Sequence, residues 1–153
     1  MSSRRALLPL IAVSAVAFAV PANSAGPEGL WLVEDQTGRI RIEQCGGEMW
    51  GFIAWQKTPV NDANNPNPSV RNKPLVGAPI LIGMKPNGDR WEGNIYNPRD
   101  GKTYTSKMAM LPSGKLEIKG CVMGILCGGE NWTRLAQDPP GTAPKANCAG
   151  LRR

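Results

Sequence analysis

The sequence contains no histidine. That absence removes Ser-His-Asp and Cys-His catalytic units and every haem, copper or zinc site that depends on an imidazole. Among the residues that remain, Asp100, Lys102 and Tyr104 follow a turn closely. An acid, an amine and a phenol so near one another can move protons. Asp100-Gly101 is more simply a hairpin turn, and the pattern puts no partner carboxylate beside it. No catalytic residue is assigned, and the chain is expected not to be an enzyme. Arg71, followed by Asn72 in a Pro/Asn-rich stretch, offers a planar guanidinium that can grip a carboxylate or phosphate bidentately. Its simpler role is to tie that stretch down through backbone carbonyls. Trp50, Phe52, Trp55 and Trp91 can line an apolar cavity or fill a core. The candidate ligand-binding set is therefore Arg71, Asn72, Trp50, Phe52, Trp55, Trp91 and Tyr104.

The elements that must carry these side chains are strands. Thr37-Gly38, Cys45-Gly46-Gly47, Asn87-Gly88, Asp100-Gly101 and Ser113-Gly114 punctuate apolar or aromatic runs, as hairpin turns do. Between them the pattern predicts eight strands, over 29–35, 39–44, 48–56, 78–85, 90–96, 102–111, 115–122 and 129–136. Ile40 and Ile42 alternate with Arg39, Arg41 and Glu43, and Leu116 and Ile118 with Lys115, Glu117 and Lys119. Such alternation gives each strand a core face and a water face. Residues 48–56 are apolar on both faces, with Met49, Ile53 and Trp55 on one and Trp50 and Phe52 on the other, so that strand is expected to be covered twice. Consecutive strands with tight turns make an antiparallel meander, and closing it into a barrel removes its exposed edges. An interior of about eight strands is filled by side chains or holds one small ligand.

Residues 57–77 break the rhythm with Pro59, Pro66, Pro68 and Pro74 among several Asn. Loops of that length are often functional, and the prolines argue for an ordered one packed over a barrel mouth. The tail 137–153 is expected to be extended and held by Cys148 alone.

The first 25 residues read as a cleavable leader. Arg4 and Arg5 precede an apolar run from Ala6 to Val20, and small residues follow through Ala22 and Ala25, after either of which cleavage is expected. The run is too short to span a bilayer comfortably, and no later stretch is long enough, so no integral membrane segment is expected after cleavage. The expected location is the periplasm or the exterior. Cleavage removes two of 18 basic residues and none of 12 acidic ones, leaving a basic domain. That charge serves solubility and can meet anionic envelope components, Arg152 and Arg153 included. No basic run or helix points to nucleic acid. Four cysteines in an exported domain imply disulfides. Of the three pairings, Cys121–Cys127 with Cys45–Cys148 is favoured, because the first two lie close in sequence. The spacing is not that of a zinc ribbon, and no metal or cofactor is expected.

Several stretches carry a resemblance. They are Gly29-Leu30-Trp31, Cys45-Gly46-Gly47, the run from Asn65 to Gly77, Trp91 to Pro98, Asp100 to Tyr104, and Trp132-Thr133-Arg134. Together they resemble an exported bacterial family known as domain of unknown function 2147, over residues 29–135. The family looks like a lipocalin-type (calycin) barrel. In that likeness Gly29 and Trp31 begin the first strand, and Arg134 on the last strand covers the Trp31 ring. The implied cation–π stack seals one barrel end and contributes about 0.5–2 kcal/mol. In that likeness many relatives place a second Cys where Trp50 stands, and Cys148 looks additional, which fits a changed partner for Cys45.

The combined expectation is an all-β, eight-stranded, lipocalin-like barrel over residues 26–136, after a leader at 1–25. It is expected to bind a small, partly apolar ligand beneath loop 57–77. The rival expectation is a filled barrel with a structural or interaction role in the envelope.

Overall fold

The computed structural model describes residues 26–122, 126–146 and 148–151. The leader at 1–25 and the terminal Arg152 and Arg153 lie outside them. Eight antiparallel strands, each hydrogen-bonded to the next, close into a barrel through pairing of the first with the last. They are β1 (Gly29–Leu32), β2 (Gly38–Cys45), β3 (Glu48–Gln56), β4 (Pro79–Asn87), β5 (Arg90–Asn97), β6 (Lys102–Met110), β7 (Leu116–Val122) and β8 (Leu126–Leu135). Among the described residues no helix is long and apolar enough to cross a membrane.

The first strand is shorter than its apolar pattern predicts. Asp35 accepts hydrogen bonds from the Thr37 backbone at 3.0 Å and its hydroxyl at 2.6 Å, and Gln36 adopts a φ of 61°. This Asp-centred turn ends the strand early. It also holds the Asp35 carboxyl below the usual carboxylate value.

Trp31, Ile40, Ile42, Ile53, Leu81, Met108, Leu116, Ile118 and Trp132 form the buried core. The register explains which aromatics join it, because directly opposed residues of an antiparallel pair share a face. Ile40 lies opposite Ile53, while Arg41 opposes Phe52 and Glu43 opposes Trp50. Trp50 and Phe52 therefore share the outer face with Arg41 and Glu43. The register shifts between Arg39 and Ile40, so that Arg39 opposes Trp55. This bulge turns Trp55 outward, against the predicted alternation, and the Arg39 guanidinium lies over its ring at 4.1 Å.

Loop 57–77 is ordered, as its prolines predict. Its ends pair through an isolated bridge between Asn61 and Pro74, and a 3-10 turn at Pro68–Val70 is capped by the Asn67 side chain. Leu75 is buried in the core cluster, and the buried Tyr96 hydroxyl donates to Asp62 Oδ1 at 2.6 Å. Asn64 Nδ2 donates to the carbonyls of Pro98 and Arg99 in the β5–β6 turn. The contact there is so close that a Cβ on Gly101 would lie 1.9 Å from the Asn64 carbonyl oxygen.

The tail differs from expectation. More than Cys148 holds it, because the outer face of β2 supplies polar anchors. Arg41 pairs with Asp138 at 2.7 Å, Arg39 donates to Thr142 at 3.1 Å, and Glu43 accepts from the Ala146 backbone at 2.9 Å. The Ala143 N–H donates to the Ala54 carbonyl at 2.7 Å, and the Cys45–Cys148 disulfide closes the strap. Cys121 is also disulfide-bonded and sits opposite Cys127 in the β7–β8 register; the Cys127 side chain lies outside the description.

Candidate functional site: the open barrel mouth

One end of the barrel is closed by the first and last strands. Trp31 and Arg134 are direct partners across β1 and β8. The Arg134 guanidinium lies 4.2 Å from the Trp31 ring centroid and donates to the carbonyls of Glu28 and Gly26. The Trp31 indole N–H donates to the Pro27 carbonyl at 2.8 Å. Gly29, at a φ of 130°, makes room for this arrangement. A Cβ there would stand 2.8 Å from Arg134 Nη1.

At the other end lies a cavity of about 440 Å³. Ile40, Ile53, Ile80, Ile95 and Trp132 give it apolar walls. Its rim comes from the β1–β2 turn, with Asp35 and Thr37, and from the last residue of β5, Asn97, with Arg99 in the β5–β6 turn. These two turns are half a barrel apart, and Arg99 approaches Asp35 at 4.0 Å. That ion pair therefore reaches across the mouth. Glu130 alternates with Trp132 and Arg134 along β8 and so shares their inward face. It lines the cavity and accepts from the Trp132 indole N–H at 2.6 Å.

The residues predicted to bind a ligand are dispersed. Tyr104 lines the cavity, with its hydroxyl held by Asp100. That hydrogen bond lifts the Tyr104 phenol and lowers the Asp100 carboxyl from their ordinary values. Trp91 lies near the sealed end, beside Arg134 and Met110. Trp50, Phe52 and Trp55 are on the outer face of β3. Arg71 donates from Nε to the Asn65 carbonyl at 2.7 Å, the loop-tying role, and Asn72 is exposed. No described residue of loop 57–77 lines the cavity. The loop docks beside the mouth, because Asp62 and Asn64 commit it to β5 and its turn and Leu75 is buried in the core. Entry beneath that loop is therefore not the geometry found.

Sequence reasoning passed over Glu130 and Trp132 as site residues. Their signal was present in the period-two spacing Glu130, Trp132, Arg134, since the assignment of Arg134 to the barrel interior carries the other two with it.

The family model described as "Uncharacterized protein conserved in bacteria (DUF2147)" matches residues 29–134. The chain belongs to this family. Among solved structures, the DUF2147 barrel is similar to one described as protein HP1028 from the human pathogen Helicobacter pylori, which belongs to the lipocalin family. The TM-score is 0.64 at 22% identity, and the match covers 71% of this chain and 82% of that one. At that identity the likeness concerns the fold. A search of curated proteins returned no match.

Proposed function

We propose that this protein is an exported, non-enzymatic binding module that takes a small, partly apolar molecule into the open mouth of its barrel. The observation carrying this reading is the cavity of about 440 Å³ opposite the sealed end. Ligand pockets typically run from roughly 300 to 1,000 Å³, with apolar walls and a few placed polar groups. A filled barrel would leave space for a water or two, so the cavity favours binding over the purely structural alternative. Glu130 sets the ligand's polarity. A carboxylate facing an apolar cavity favours a polar end that donates hydrogen bonds, such as an amine or a hydroxyl. The fold likeness to a lipocalin-family protein supports the same reading. The charged leader at 1–25 supports export, and the basic composition suits an anionic envelope.

The test is native mass spectrometry of the purified mature protein, first with extracted envelope lipids and then with decylamine and 1-decanol. Retained mass is expected, with at least about tenfold weaker binding in Ile95→Trp, which fills the mouth. Glu130→Gln keeps an acceptor for Trp132, so it is expected to weaken decylamine more than 1-decanol. Recovery of the bare mass under every condition would refute the binding role. N-terminal sequencing of the secreted product tests export, with Asn23 or Gly26 expected as the first residue.

A further inference from the structure

A second cavity lies on the outside of the barrel, between β2–β3 and the tail strap. Its volume is about 320 Å³, and Arg41, Phe52, Ala54, Pro79, Pro144 and Leu151 contribute to its walls. The mouth cavity is on the other side of β3, and Ile53 contributes to both. Arg41 is the unusual member of this lining. Its side chain is 9% exposed, so a full positive charge is buried among Phe, Ala and Pro. Nη2 donates to Asp138 at 2.7 Å and to the Ala143 carbonyl at 3.2 Å. Nε is buried and finds no acceptor among the described residues. A buried donor without an acceptor is costly, and a guanidinium binds best when an anion takes two of its N–H groups together. The partner it has is replaceable, because the Asp138 side chain is 55% exposed and can turn to water.

We infer that this crevice binds a small monocarboxylate with an apolar body. The carboxylate takes the place of Asp138 on Nη2 of Arg41 and reaches the buried Nε beside it as Asp138 turns out to water, and the hydrocarbon lies against Phe52, Pro79 and Pro144. One buried guanidinium balances one negative charge, which selects a carboxylate over a doubly charged phosphate. The strap stays in place while the ligand enters, since Cys45–Cys148 tethers its far end and the Ala143 and Ala146 backbone bonds hold its middle.

The test is calorimetric titration of the disulfide-intact protein with benzoate and hexanoate at low ionic strength, with benzamide and hexanamide as neutral counterparts. Saturable binding of the acids is expected, with the amides at least about tenfold weaker. Arg41→Met is expected to lose at least about tenfold in benzoate affinity. Should that variant fail to fold, Ala146→Leu keeps Arg41 and fills the crevice, and the same loss is expected. The inference is overturned if neither acid binds, if the amides bind equally well, or if benzoate binds a folded variant as tightly as the parent.

Discussion

The two ends of this barrel are built from the same strands, yet they are finished in opposite ways. At the sealed end, a buried Trp is capped by a guanidinium that also satisfies two backbone carbonyls, so apolar surface and polar groups are both accounted for locally. At the mouth, the inward side chains stop short. What spans the gap is an exposed pair, Arg99 and Asp35, at 4.0 Å. Exposed ion pairs typically contribute about 0–1 kcal/mol, whereas a fully buried aromatic contributes several. The difference sets stability and the proposed binding role at opposite ends of the barrel axis: one end holds the fold, and the other is spanned by a weak pair.

The largest effect should come from breaking the sealed end. Trp31 is fully buried, and Trp31→Ala is expected to cost about 3–5 kcal/mol of folding stability, read from urea unfolding. If a substitution at the mouth such as Arg99→Ala cost as much, the separation of roles would fail.

The next effect concerns the loop beside the mouth. Asp62 accepts from Tyr96 at 2.6 Å and from Asn65 at 2.7 Å. Asp62→Ala strands both donors, and about 1–3 kcal/mol of stability should be lost. The same contact has a pH signature. Burial first, and the Asp62 hydrogen bond second, push the Tyr96 phenol from the ordinary 10.0 up to about 12. Because the folded value is raised, the stability it contributes is present in full below pH 10 and fades as pH climbs through about 12. Tyr104 is raised as well, and these are the two tyrosines of the chain. Phenolate absorbance of the native protein should therefore stay low at pH 10, where free tyrosine is half ionised. A phenolate signal at that pH as large as that of free tyrosine, half of full ionisation, in folded protein would contradict the contact.

Arg99→Ala should have the smallest effect. Stability is expected to change by less than about 0.5 kcal/mol. Release of a mouth-bound probe should quicken a few-fold in stopped-flow fluorescence, because the bar across the entrance is gone. Unchanged release would show that the ion pair does not gate entry.

Much of the fold was legible because it rests on local chemistry that repeats. Turn glycines mark the hairpins, and alternation such as Ile40 and Ile42 against Arg39 and Arg41 gives the inner face. The bulge at Arg39–Ile40 was not legible, since a run apolar on both faces leaves no polar residue to report a slip of register. That slip is why Trp55 faces outward. The tail's path was hidden for a related reason: Arg39, Arg41 and Glu43 read as a solvated face, and only the fold brings Asp138 and Thr142 to them. The mouth was the least legible part. Its polar groups come largely from turns and from β8, far apart in sequence, while Trp50, Phe52, Trp55 and Trp91 serve the outer wall or the sealed end and, of the candidate aromatics, Tyr104 alone reaches the cavity.

The most direct measurement of the central claim uses the indole N–H signals of Trp132 and Trp31. Trp132 lines the mouth cavity and donates to Glu130, whereas Trp31 is locked to Pro27 at the sealed end. Titrating decylamine into the protein while recording nitrogen–proton correlation spectra should shift the Trp132 signal strongly and leave that of Trp31 in place. A shift confined to Trp31, or none at Trp132 when mass spectrometry shows the probe bound, would contradict the account.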